Sequence, residues 1–236
     1  MVTIDTVYQR VLALANKEQR GYITPQEFNL FANQAQLEIL DSYINDINGV
    51  DRLPGNKQEF SDRLTLLDEK LSIFEVEEQI TTGDDFISNF PSSTVAFPVN
   101  LYNLGSVYRA NTECDQITRS EWQKYGKSPL LFGTMYNSTP RYVLVNNMIH
   151  VFPTANFVNI SYIRKPAQVS WGYVVINDKA LYDPNPNKTV NFELHASEET
   201  ELVYRILKLS GVAIQRQDVA QFAQAQENTL SQKEKQ

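Results

Sequence analysis

Prolines divide the middle of this chain into short pieces and thereby limit what it can fold into. From position 91 to 186 they stand at 91, 98, 129, 140, 153, 166, 184 and 186. Because proline interrupts the hydrogen-bond ladder of a helix, most of these pieces are too short for a long helix, apart from a possible turn at Ser120–Tyr125. Aromatic and β-branched residues dominate these pieces, as they do in strands. The sequence therefore predicts an antiparallel β domain over 76–195.

The clearest strand signal is the segment Arg141–Phe152, RYVLVNNMIHVF, in which two apolar runs flank Asn146 and Asn147. Asparagine tolerates the positive φ of a two-residue hairpin turn, so a β-hairpin is expected here. Apolar and polar residues then alternate over Val158–Tyr162, which predicts a third strand. The domain is expected to contain one short turn at Ser120–Tyr125.

The segment Asn16–Glu27 has two interpretations. Gly21 and Glu27 occupy the sixth and twelfth places of a calcium-binding EF-hand loop. The fifth place should supply an oxygen ligand, but it holds Arg20, whose charge would repel the ion. Alternatively, Thr24 is a helix N-cap, a proline takes the first helical position, and Glu27 completes a capping box. We favour this second interpretation and expect no calcium binding.

Helical periodicity lies on both sides of the β region. Apolar residues recur at helical spacing over 4–15, and the capped second helix is expected to end at Asn48-Gly49. Asn56 with Glu59 suggests the start of a third helix. On the C-terminal side, Ser197 is expected to cap a helix with an apolar stripe over 202–213.

None of these helices can bury its apolar face alone. We therefore expect an α+β fold in which 1–75 and 196–236 form one discontinuous helical bundle. The antiparallel β domain at 76–195 is inserted into it, and the polar C-terminal tail follows the last helix.

Residues suited to catalysis are few. The two histidines, His150 and His195, are interpreted as a packed strand residue and a helix-boundary residue. The single cysteine, Cys114, precedes Asp115, whose negative charge would raise the pKa of the thiol. No nucleophile elbow and no paired metal-ligand motif occurs. The sequence predicts a protein that is not an enzyme, with no catalytic residues, cofactor or metal.

Carboxylates gather near the first predicted domain boundary, at Glu75, Glu77, Glu78, Asp84 and Asp85. Paired carboxylates can hold a metal or act as acid and base in glycoside hydrolysis. Such a run is also typical of a solvated junction, which is the interpretation we favour.

Charge and hydropathy restrict the partners. The formal net charge is −7, and no run of lysine or arginine marks a local basic patch. Non-specific binding of nucleic-acid phosphates is therefore not expected. No apolar run approaches the roughly 18 residues that cross a bilayer, and the N-terminus does not read as a secretory signal. We expect synthesis in a reducing cytoplasm.

Three stretches resemble one protein family. They are GYITPQEFNLFANQAQLEIL at 21–40, the strand series PRYVLVNNMIHVFPT with VNISYIRKPAQVSW at 140–171, and ELHASEETELVYRILKLSGVAIQRQDVAQFAQ at 193–224. Together they resemble neck proteins of tailed bacteriophages, in particular the ring proteins of crAss-like phages. More distantly they resemble tail tubular protein A and the head–tail adaptor class of short-tailed phages.

The resemblance implies a structural virion protein made in the host bacterial cytoplasm. Such proteins form a homo-oligomeric ring, usually twelvefold, below the portal protein and contact the portal, a neighbouring neck ring or tail proteins. DNA passes through the ring channel without specific binding. Two alternatives stay open: a carbohydrate-active or receptor-binding virion protein built on the β domain, and a soluble adaptor unrelated to phages.

The C-terminal segment is a candidate interface. Val219, Phe222 and Ala223 offer too little apolar surface for an isolated helix, because short helices are marginal without packing. We expect this segment to become ordered on a neighbouring subunit or ring. The alternative is a frayed tail without a role.

Overall fold

The computed structural model describes residues 1–16, 23–52, 61–87, 90–127, 140–177, 179–213, 224–226 and 228. The chain divides into two compact units, a helical unit of Met1–Ile73 with Pro166–Gln236 and a β unit of Phe74–Lys165. Helices and largely antiparallel sheets are both present, which confirms the α+β class. In the described part of the chain, no helix has the length and hydropathy of a membrane span.

The helices of the helical unit pack through their apolar stripes. They are α1 (Ile4–Asn16), α2 (Pro25–Arg52), α3 (Ser61–Leu71) and α5 (Glu199–Ala213), the last preceded by a 3₁₀ turn at Ala196–Glu198. Helix α5 packs against both α1 and α2, and α3 packs against α2. The interior includes the buried side chains of Ile4, Val7, Val11, Phe28, Ala35, Ile39, Leu202 and Ile206.

The capping box at the start of α2 is confirmed. The backbone N–H of Thr24 donates to Glu27 Oε2 at 3.0 Å, and the N–H of Glu27 donates to Thr24 Oγ1 at 3.3 Å. The predicted end of this helix is wrong, because α2 continues through Asn48-Gly49 to Arg52. A glycine inside a helix costs about 1 kcal/mol, which a well-packed helix of this length tolerates.

The start of α5 also differs from the prediction. Ser197 lies inside the 3₁₀ turn, and His195 is the N-cap, its Nδ1 accepting from the backbone N–H of Ser197 at 3.3 Å. The interpretation of His195 as a boundary residue is thus confirmed. An imidazole nitrogen can accept this bond as a hydroxyl would, so His195 serves as the N-cap two residues before the predicted cap, Ser197.

Buried charges pair inside the helical unit. Lys70 Nζ lies 2.7 Å from Glu198 Oε1, with side chains only 4 % and 2 % exposed, and also sits 5.4 Å from the ring centre of Tyr43. Nearby in sequence, Arg205 of α5 forms a buried pair with Glu201, one turn earlier. Each of these four buried charges therefore has a partner of opposite sign, as burial requires.

The stretch after Pro166 belongs to the helical unit, although it was expected in the β domain up to residue 195. It contains β10 (Tyr173–Ile176) and β11 (Lys179–Tyr182), which form a separate two-stranded sheet. Single β-bridges join Val2 to Phe192 and Ser170 to Val190. The β unit thus ends at Lys165 and not at residue 195, because the backbone after Pro166 is hydrogen-bonded to α2, as described below.

The β unit contains two sheets. Its strands are β1 (Glu75–Thr81), β2 (Gly83–Ile87), β3 (Phe90–Ala96), β4 (Leu101–Arg109), β5 (Thr112–Glu113), β6 (Asp115–Gln116), β7 (Arg141–Val145), β8 (Met148–Phe152) and β9 (Phe157–Arg164). One sheet has the order β1-β9-β4-β5 and the other β2-β3-β8-β7-β6. Strands of both sheets contribute to one core, with Val95, Val107, Ile149, Val151, Val158 and Ile160 among its buried residues.

The predicted hairpin in this unit is confirmed. β7 and β8 pair antiparallel around Asn146 and Asn147, whose φ angles are 51° and 59°. The next strand, β9, exists where predicted but joins the other sheet, between β1 and β4. Alternation shows which residues face a core but not which strand lies alongside, so the sequence could not assign β9 to its sheet.

The possible turn at Ser120–Tyr125 lies within a nine-residue helix, α4 (Arg119–Lys127), which is longer than expected. A second capping box starts it: the N–H of Thr118 donates to Glu121 Oε2 at 2.8 Å, and the N–H of Glu121 donates to Thr118 Oγ1 at 3.3 Å. Trp122 of α4 packs on Val143 and Phe152, so this helix covers part of the five-stranded sheet.

Candidate interaction surface

The predicted contact residues Val219, Phe222 and Ala223 lie outside the described residues, as do Arg20, Gly21 and the Asn56–Glu59 cap. Their roles stay predictions. A different candidate surface lies in the helical unit, around the sheet formed by β10 and β11, which we name the apolar hairpin.

The chain that leads into the apolar hairpin is held by three amides on one face of α2. Asn29, Asn33 and Gln36 stand four and three residues apart, a spacing that aligns side chains along a helix. Opposite them, the backbone of 167–171 is extended, so that every second residue meets the next amide. We name these three side chains the amide row.

The amide row pairs with backbone as a neighbouring strand would. Asn33 accepts from the N–H of Val169 at 2.9 Å and donates to its carbonyl at 2.9 Å. Asn29 accepts from the N–H of Trp171 at 2.7 Å, and Gln36 donates to the carbonyl of Ala167 at 3.0 Å. Polar groups of an extended segment are thereby satisfied without a sheet.

Trp171 anchors the base of the apolar hairpin. Its side chain is buried, and Nε1 donates to Asp5 Oδ1 of α1 at 3.0 Å. On one side its ring contacts Tyr8, with ring centres 4.2 Å apart. It also stacks with Tyr173 and Tyr182, the first paired residues of the hairpin, at 5.9 Å each. The first pair of the hairpin is therefore fixed against the interior of the helical unit.

A loop after β11 closes over this base. The N–H of Gly172 donates to Thr189 Oγ1 at 3.1 Å, and that hydroxyl donates to the carbonyl of Asp183 at 2.6 Å. Lys188 Nζ binds Asp183 Oδ2 at 2.9 Å, which lowers the pKa of that carboxyl, together with the N–H of Asn185. A Cβ on Gly172 would lie 2.6 Å from Thr189 Oγ1, so only glycine allows this approach.

Beyond its base the apolar hairpin is exposed on both faces. Val174 pairs with Leu181 and Val175 with Ala180, around a turn that begins at Asn177 with φ 51°. Val175 is 60 % exposed, and Val174, Ile176 and Leu181 are 41–52 % exposed. A two-stranded hairpin with its apolar residues in water gains little stability by itself. Its second strand, Lys179–Tyr182, lines a cleft with α1, and the exposed aliphatic residues have the properties of a surface that a partner covers.

A concave apolar surface lies elsewhere on the same unit, between α1 and α5. This α1–α5 groove has a volume of about 300 Å³ and is lined by Arg10, Ala13, Leu14, Thr200, Val203 and Tyr204. Its rim charge, Arg10, is paired with Glu199 at 3.1 Å. An apolar guest in this groove would meet no uncompensated charge from that pair.

The histidine and serine in the β unit do not form an accessible catalytic pair. Ser92 Oγ and His150 Nδ1 are 3.5 Å apart, at the limit of a hydrogen bond, and both residues are buried. The interpretation of His150 as a packed residue is confirmed. Cys114 is buried as well, and burial raises the pKa of its thiol to about 11, which leaves little thiolate near neutral pH.

The described glutamates of the predicted acidic junction lie on β1, at an edge of the four-stranded sheet. Glu75 and Glu77 are exposed, and Glu78 accepts a hydrogen bond from the Tyr162 hydroxyl at 3.2 Å. Burial is the main cause of the raised pKa of Tyr162, with the glutamate adding to it. Within the described residues, no group of three or more His, Cys, Asp or Glu is placed to hold a metal. Charged side chains on an edge strand discourage unwanted strand pairing.

Comparison with protein families and with curated proteins finds no match to this chain.

Proposed function

We propose that the protein is a structural subunit of the neck of a tailed bacteriophage. In this role it forms a homo-oligomeric ring below the portal, extends the DNA channel and joins head to tail. The observation that carries the proposal is the apolar hairpin, which α1, α2 and the loop at 183–189 hold in place and which stays exposed in the single subunit. The class of protein, a phage neck ring subunit, comes from the resemblance of three long stretches to ring proteins.

The energy available from the hairpin favours assembly into a multi-subunit structure over a simple dimer. Full burial of an aliphatic side chain contributes about 1.5–3 kcal/mol. Val174, Val175, Ile176 and Leu181 are about half exposed, so covering them contributes roughly 3–6 kcal/mol. Association itself costs about 4–15 kcal/mol. One such contact is therefore weak, whereas a ring engages every subunit on two sides.

The two units suit a ring subunit in another respect. We propose that α1, α2, α3 and α5 form a single discontinuous bundle with the β unit inserted, so that the two units supply separate surfaces for lateral neighbours and for the next ring. The net charge of −7 fits a channel that lets DNA phosphates pass without gripping them.

The alternative of a carbohydrate-active virion protein would be favoured by paired carboxylates beside exposed aromatic rings. The aromatic neighbour of Glu78 is Tyr162, which is buried. The described acidic strand therefore lacks an exposed ring at this point on which a sugar could stack.

The test is incorporation into virions. Ile176→Asp places a charge on the apolar hairpin, and Leu30→Asp is a matched control on α2, where the leucine is 71 % exposed. We expect both variants to fold, with only Ile176→Asp absent from purified particles. Cryo-electron microscopy should locate the wild-type protein as a closed ring between portal and tail. Its presence in the capsid shell or tail fibres would refute the proposal.

The expected docking of Val219, Phe222 and Ala223 can be checked in the same way. A chain truncated after Ile214 should keep nearly the wild-type melting temperature but fail to enter particles. Normal incorporation of the truncated chain would favour a tail without a role.

A further inference from the structure

We infer that the apolar hairpin of one copy docks in the α1–α5 groove of a second copy, so that subunits join head to tail. This inference rests on the proposed ring function and names the surfaces that would build the ring.

One face of the hairpin matches the groove in chemistry. Side chains alternate along a strand and directly paired residues share a face, so Val174, Ile176 and Leu181 project to the same side. They form an aliphatic ridge, and Lys179, the partner of Ile176, lies beside it at the turn end of the same face. The groove presents Ala13, Leu14 and Val203, and its volume of about 300 Å³ admits a few aliphatic side chains but not a folded domain. A ridge of this width is the kind of guest that such a groove accepts.

The relation between the two surfaces determines the kind of assembly. Pairing of one hairpin with another would be isologous and would stop at a dimer. The hairpin and the groove are different parts of the subunit, so their contact is heterologous and leaves one free hairpin and one free groove after each addition. A chain of such contacts ends only when it closes on itself, which produces a ring.

The small size of this contact also favours a second copy of this chain as the partner. A stable pair of proteins commonly uses about 20–30 residues on each side. The two hairpin strands contain eight residues, and six line the groove. A partner held by one such contact would dissociate readily, whereas copies of this chain make the contact twice each. We therefore expect monomers in dilute solution and assembly when copies are concentrated, as on a portal.

Cysteine cross-linking of the full chain tests the docking mode. Val174→Cys on the hairpin and Ala13→Cys on the groove wall are made separately, and Leu30→Cys serves as an exposed control. Native Cys114 should not interfere because it is buried. The purified variants are mixed at high concentration and oxidised.

We expect a covalent dimer when the Val174 and Ala13 variants are mixed and none from either variant alone. The Leu30 variant should give no dimer with the Ala13 variant, and a chain carrying both the Val174 and Ala13 changes should form a ladder of multimers. Dimers of the Val174 variant alone would show hairpin-to-hairpin pairing and overturn the inference. So would the absence of cross-links both in the mixture and in particles that carry the double variant. If those particles still contain the protein in the neck, the ring function survives and only the docking mode fails.

Discussion

Replacing Asn33 with aspartate should measure how much the amide row contributes to the helical unit. The change keeps the volume of the side chain and the acceptor for the N–H of Val169. It removes the donor to the carbonyl of Val169, now bonded at 2.9 Å, and puts a carboxylate oxygen against that carbonyl. Leaving such a carbonyl without its donor costs about 1–3 kcal/mol, and the lost bond to the carbonyl of Asn29 adds about 0.5–1.5 kcal/mol.

The expected loss is therefore about 3 kcal/mol, which lowers Tm by roughly 6–12 °C for a chain of this size. Circular dichroism melting at neutral pH measures it. Gln34→Glu is the matched control, because it makes the same amide-to-acid change one residue later on the exposed side of α2, where Gln34 bonds Glu38 at 3.1 Å. That control loses the bond to Glu38 and puts two carboxylates one turn apart, so it should cost less than about 1 kcal/mol.

Melting of the same variants at acid pH gives a second measurement. When the carboxyl introduced at position 33 is protonated, it can again donate to the carbonyl of Val169. The folded state thus raises the pKa of that carboxyl, and the destabilisation should shrink as the pH falls. Equal melting temperatures for Asn33→Asp and Gln34→Glu at neutral pH would refute the view that the amide row holds the segment at 167–171.

Three further predictions concern single contacts. The backbone N–H and hydroxyl of Thr24 lower the pKa of Glu27, so this carboxylate stabilises the fold above its ordinary pKa and loses that effect as pH falls through the lowered value. Glu27→Gln should therefore lower Tm at neutral pH, and the loss should shrink as the pH falls below the lowered pKa, measured by thermal melts across this range. Gly172→Ala should cost about 1–3 kcal/mol in denaturant unfolding, because the new methyl group meets the threonine of the following loop; an unchanged midpoint would contradict that close approach. Lys70→Met should cost about 3–5 kcal/mol, because it leaves the Glu198 carboxylate buried without its cation. Lys70→Met combined with Glu198→Leu should recover much of this stability, and a double variant as unstable as the single one would show that the cost does not come from this ion pair.

Local spacing explains what the sequence could predict. The capping box of Thr24 and Glu27 and the hairpin turn at Asn146-Asn147 each depend on residues at most three positions apart. The same capping-box spacing occurs at Thr118–Glu121, but the prolines on either side favour strands there. The hairpin-turn signal also occurs at Asn177-Asp178, which stands between two short apolar runs.

Partners distant in the chain explain what could not be predicted. The spacing of the amide row is visible in the sequence, but its backbone partners lie more than 130 residues further on, and an amide on a helix is usually solvated. The exposure of the apolar hairpin could not be predicted for the same reason. Strand alternation cannot show that Val174, Ile176 and Leu181 have no covering layer, since exposure depends on what the rest of the chain leaves uncovered.

The buried pair of Lys70 and Glu198 has a consequence for the order in which the newly made protein can fold. When α3 leaves the ribosome, Lys70 cannot pair with Glu198 until 128 further residues are added. At bacterial rates of roughly 5–20 residues per second this takes about 6–25 s. The β unit is continuous in sequence and complete by Lys165, so it can fold during that interval. The N-terminal helices must wait for α5, and they would benefit from a chaperone that shields apolar surface on the nascent chain.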